Sequence, residues 1–130
     1  MTAVRNDLGT LLVRTAAEIE SVPWEPLGVA GVAHKVLWQS GDIVIGLIRV
    51  DAAATKPEHV HHRAHHHIWI TRGSADMVGR TVAEGSYVYI PPGVPHAVDN
   101  VGPDGVDFFY TYRPLEQQPA PEPEDLGAPV

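Results

Sequence analysis

The chain has 130 residues, the length of one ordinary domain, and 44% of them are apolar, enough to bury a core. A formal net charge of −7 with neutral histidines argues against nucleic acid as a partner. No stretch approaches the roughly 20 apolar residues of a membrane helix. The absence of cysteine excludes disulfides, thiolate metal ligands and a cysteine nucleophile together. The N-terminus lacks the basic start and apolar run of a signal peptide, so a cytoplasmic protein without membrane association is expected.

Thr15-Ala16-Ala17-Glu18 has capping-box spacing and predicts one short helical turn before Pro23. Pro23, Pro26 and Gly28 are expected to end regular structure there. Beyond about residue 33 the pattern changes to short strands with Gly and Pro turns. Ala33–Gln39 and Ile43–Val50 read as an antiparallel pair joined by Ser40-Gly41-Asp42, and residues 51–58 read as a connection. Ile68–Arg72 reads as a strand, Gly73-Ser74 as a turn and Ala75–Val78 as the next strand. Ser86–Ile90, the tight turn Pro91-Pro92-Gly93, His96–Asn100 and Val106–Arg113 complete the series. After Arg113 the chain is rich in Pro, small and acidic residues, which predicts a flexible tail. Many short strands and little helix argue for a sandwich or barrel.

Eight histidines are present, six of them between His59 and His67. The run is interrupted and flanked by strand-like sequence, so it belongs to the fold. Side chains two apart on a strand share a face, which groups His59 with His61 and turns His62 away. His96 follows a tight turn where a strand resumes, a natural place to complete a metal site with imidazoles from distant strands. His65, His66 and His67 allow two exclusive registers: His66 inward with Ile68 and Ile70, or His65 and His67 inward with Trp69.

Gly85, Pro91, Gly93, His96 and Asn100 stand at the spacing of the second cupin motif, and the chain resembles that superfamily over about residues 33–113. His59-Val60-His61 fits the opening of the first motif and Gly73 its closing glycine, which places His66 where the family usually has glutamate. The resemblance implies an all-β jelly-roll barrel over 33–113, with residues 1–32 as an N-terminal extension and 114–130 as the tail. It implies one divalent metal ion on His59, His61, His66 and His96, with Fe(II) favoured and Zn, Mn, Ni or Cu as alternatives. Four neutral imidazoles leave the full 2+ charge, which suits anionic substrates or enolates. Cupins often pair through an N-terminal strand, so a homodimer is implied as well.

The region 22–49, beginning Val22-Pro23-Trp24, is loosely similar to acetylacetone-cleaving dioxygenases and to the cupin domain of ChrR-type anti-sigma factors. The expected function is therefore a non-haem Fe(II) dioxygenase acting on a small enolisable or dicarbonyl compound. A redox-neutral Lewis-acid cyclase or isomerase, and a metal-dependent sensor or binding module for small molecules, are the alternatives. Tyr87 and Tyr89 are candidates to offer a phenol to a substrate, and Arg49 and Arg72 are expected at strand ends.

Overall fold

The structure, a computed structural model, describes residues 6 and 8–114; residues 1–5 and 7, and all of the expected tail after Pro114, lie outside the described residues. Its elements are α1 (Ala16–Ser21), β1 (Glu25–Pro26), β2 (Val32–Ser40), β3 (Ile43–Val50), β4 (Lys56–His59), β5 (Ala64–Met77), β6 (Arg80–Ala83), β7 (Tyr87–Ile90), β8 (His96–Val98) and β9 (Val106–Pro114). One sheet runs β1-β2-β3-β9-β5-β6, with β7 also paired to β5, and a β4-β8 ribbon forms the second. No helix among the described residues is long and apolar enough to cross a membrane.

Cross-strand register explains the core. Val44, Gly46, Ile48 and Val50 of β3 stand opposite Tyr112, Tyr110, Phe108 and Val106 of β9. His66, Ile68 and Ile70 of β5 continue the Tyr112, Tyr110 and Phe108 rows. Period-two alternation turns this set inward: Ile68, Ile70, Phe108 and Tyr110 are all buried, and Val98 of β8 joins them from the ribbon. On the opposite face Asp107 takes paired hydrogen bonds from Arg49 at 2.8 and 2.8 Å and from Arg72 at 3.0 and 3.1 Å. Burial would raise the Asp107 carboxyl, but the two guanidiniums hold it below the usual carboxylate range. Arg49 and Arg72 thus tie three strands together away from the histidines.

The expected turn at Gly73-Ser74 is not present. β5 runs through it for 14 residues, bulging between Ile70 and Arg72, and the reversal comes at Val78-Gly79, leading into β6. Gly73 has a φ of +76° and packs against Gly105, where a Cβ would run into the backbone carbonyl. A glycine that supplies positive φ and close backbone contact inside a strand looks like a turn in sequence. Gly73→Ala is therefore expected to lower the unfolding free energy by about 2 kcal/mol or more, from backbone strain plus the forced shift of the β9 approach. Urea denaturation of the two proteins checks this.

The N-terminal region is more regular than its prolines suggest. Thr15 caps α1 with both hydrogen bonds of a capping box. Six residues are too few for a helix stable alone, and the buried Lys35 amine holds it by donating to the Ile19 and Glu20 carbonyls at 2.9 and 3.4 Å. Leu37 is the extra residue of a bulge in β2, and its carbonyl accepts from Arg14 at 3.0 Å. The guanidinium of Arg49 lies 4.3 Å from the Trp24 ring centroid. Glu25–Pro26 adds a two-residue edge strand, a position where the missing proline N–H is tolerated.

Candidate metal centre

β4 and β8 bring the first two histidines together, since His59 and His96 are register partners. His61 follows β4 directly, and its carbonyl accepts from Gly93 N–H at 2.9 Å, so the Pro91-Pro92-Gly93 turn is tied to the His59-Val60-His61 segment. Ring centroids lie 4.2 Å apart for His59 and His96, 5.0 Å for His59 and His61, and 5.1 Å for His61 and His96. One imidazole nitrogen from each of the three lies within 4.8 Å of the other two.

His66 borders this trio from β5. Its centroid is 5.2 Å from His61 and 5.4 Å from His96, with the Tyr112 ring at 4.5 Å and Tyr110 at 6.3 Å. It is only 2% exposed and shares the inner face with Ile68 and Ile70. His65 and His67 point the other way. His65 Nδ1 is 2.6 Å from the Tyr89 hydroxyl. His67 Nε2 accepts from Arg113, so its Nδ1–H donates to the Tyr87 hydroxyl at 2.5 Å. Tyr87 and Tyr89 therefore serve the outer face, while Tyr110 and Tyr112 face the centre. His62 lines a surface cavity beside His61, and His34 lines the cavity described below.

Hydrogen bonding fixes which nitrogens face inward. His59 Nδ1–H donates to the Pro57 carbonyl at 2.8 Å, and His96 Nδ1–H donates to the Val94 carbonyl at 3.0 Å. Both rings must then carry the lone pair on Nε2, the tautomer a metal ligand needs. Nε2 of His61 and of His96 and both nitrogens of His66 are buried without a hydrogen-bond partner. Buried polar atoms are rarely left so, and the grouped donors of His59, His61 and His96, with His66 at their border, fit a metal cation. Burial pushes His66 down to about 2 and His61 down to about 4, and lowers His59 and His96 as well. All four rings are thus neutral near pH 7, as metal binding requires.

Lys56 falls in the stretch 51–58 expected as a connection, but it opens β4 and belongs to this site. Its Nζ donates to His59 Nε2 at 3.0 Å, and burial lowers its pKa. Three apart on a regular strand, Lys56 and His59 would face opposite ways. An irregularity in the β4–β8 pairing between them puts both on one side. A cavity of about 490 Å³, walled largely by apolar residues such as Leu27, Val32, Val36 and Ile48, ends at Lys56, His59, Tyr110 and Tyr112.

The family model of the ChrR cupin-like domain matches residues 12–116. The chain belongs to the ChrR cupin-like family. Solved cupin structures share its fold. The polyketide cyclase RemF from Streptomyces resistomycificus superposes with a TM-score of 0.69 at 23% identity, covering 84% of this chain and 83% of that one. An RmlC-like cupin from Shewanella frigidimarina gives 0.62 at 22% identity, over 75% of this chain and 88% of that one. Rhodobacter sphaeroides SigE in complex with the anti-sigma ChrR gives 0.64 at 18% identity, over 72% of this chain and 51% of that one. No curated protein matches the sequence significantly. The cupin jelly roll is the expected fold, and a histidine-rich site able to hold a metal is the feature this ChrR cupin-like chain presents at its centre.

Proposed function

We propose that this cupin is a metal-dependent enzyme that holds one divalent ion, Fe(II) favoured, on His59, His61, His96 and His66, and oxygenates a small enolisable or dicarbonyl compound. The observation that carries the metal site is the set of unpartnered, neutral imidazole nitrogens on the inner face. A bound Fe(II) supplies redox chemistry toward O₂ and Lewis acidity toward an enolate. The protein's own part is positional. The Pro57 and Val94 carbonyls hold two ligand rings in the required tautomer, while Ile68, Ile90 and Phe108 exclude water from behind them. The largely apolar cavity at His59 is large enough for a small organic substrate.

Anaerobic reconstitution with Fe(II), followed by oxygen consumption with a panel of 1,3-dicarbonyls, tests this reading. Uptake that depends on Fe(II) and vanishes in His61→Ala is expected. No uptake across the panel overturns the dioxygenase assignment. The likeness to a polyketide cyclase supports the second reading, redox-neutral Lewis-acid catalysis, which predicts turnover indifferent to O₂. Binding without turnover for any metal leaves a small-molecule sensor module.

A further inference from the structure

Lys56 lines two spaces at once. One is the apolar cavity of about 490 Å³, and the other is the narrow space shared with His59, His66 and His96. No aspartate or glutamate lines either space, and no salt bridge to Lys56 is present among the described residues. Its Nζ is instead spent on His59 Nε2 at 3.0 Å. Because His59 Nδ1–H is committed to Pro57, that Nε2 lone pair is the one a metal would take.

A metal on His59 therefore displaces the lysine from its partner and leaves a half-buried ammonium beside a 2+ ion. Such a cation is costly unless an anion accompanies it. One anionic oxygen shared between the two would offset both charges. We propose that Lys56 is the substrate-anchoring group of this site, taking the charged oxygen of an enolate whose apolar body fills the cavity. This rests on the metal-centre reading above and names the substrate's charge and the residue that selects it. Lys56 also competes with the metal for His59 when no anion is bound.

The test uses full-length protein loaded with Co(II), whose visible absorption reports ligand exchange. It is titrated with the enolate of pentane-2,4-dione and, separately, with neutral imidazole. Lys56→Met and Lys56→Gln are expected to bind the enolate about tenfold more weakly or worse, the loss typical of a hydrogen bond to a charged group. Imidazole affinity stays at the wild-type level, Lys56→Arg restores enolate binding, and Lys56→Met binds Co(II) itself more tightly than wild type. Unchanged enolate affinity in the neutral variants overturns the assignment, as does an equal loss for imidazole. If Lys56→Met does not fold, the glutamine variant decides. Absence of Co(II) binding by the wild type overturns this proposal and the metal centre together. Failure to consume O₂ with Fe(II) touches only the oxygenase reading and leaves enolate anchoring standing, so the two failures are distinct.

Discussion

Replacing His96 by alanine is expected to weaken binding of a divalent metal by about 100-fold or more, beyond the 10–100-fold typical of losing an outer partner of a ligand. His96 contributes a buried, unpartnered Nε2 in the tautomer dictated by the Val94 carbonyl, and its nitrogen lies within 4.8 Å of those of His59 and His61. Removing it takes away one of the three donors that the fold groups together. In the metal-free protein the same change removes an unsatisfied buried nitrogen and leaves a small void. These effects oppose each other, and stability is expected to move by only about 1 kcal/mol. Competition with a chromophoric chelator measures the affinity, and thermal melting of metal-free protein measures the fold. A large loss of stability with metal affinity retained would reverse the roles assigned to this residue.

The second large effect is acid sensitivity of the metal-free protein. Burial, reinforced by the neighbouring His61, His96, Lys56 and His59, pushes His66 from 6.5 down to about 2. In the unfolded chain the ring takes a proton near 6.5, while in the folded chain it stays neutral. Below 6.5 the unfolded state thus binds the extra proton, and stability falls as pH falls, by about 1.4 kcal/mol per pH unit for this residue. Its contribution is intact above 6.5 and declines down to about 2. His61, pushed down to about 4 by burial, acts with the same sign over the upper part of that window. His66→Leu removes the larger share and also relieves two unpartnered buried nitrogens. The metal-free variant is expected to exceed wild type in stability, with the gap widening by about 2 kcal/mol between about pH 7 and about pH 5. Urea denaturation at both pH values checks the slope; a gap that does not widen would mean that His66 is accessible to protons in the folded state.

Much of the site was legible because motif spacing and strand period act independently and agree. Spacing back from Gly73 selects His66, and alternation then requires Ile68 and Ile70 inside with Trp69 outside; Trp69 is 57% exposed while both isoleucines are buried. Gly73 marks the motif although it lies within β5 and makes no turn, because a strand glycine at positive φ and a turn glycine carry the same signal. Lys56 was invisible because residues 51–58 read as a connection; even as part of β4 it would face away from His59 by alternation, and only the irregular β4–β8 pairing brings the two together. The two-residue β1 was hidden by Pro26, which an edge strand tolerates. The aromatic strand β9 announced two faces but not which one held the histidines. That was decided by its register with His66, which places Tyr110 and Tyr112 inside and leaves Tyr87 and Tyr89 to the outer histidines. Metal identity is not written in an all-imidazole donor set, since such ligands accept iron, zinc, nickel and copper alike.

Elemental analysis of protein purified without metal supplementation tests the histidine centre most directly, with wild type and His66→Ala compared side by side. Wild type is expected to carry about one transition-metal ion per chain, and His66→Ala markedly less. Wild type free of metal, and unable to take up Fe(II), Zn(II) or Co(II) on titration, would contradict the account.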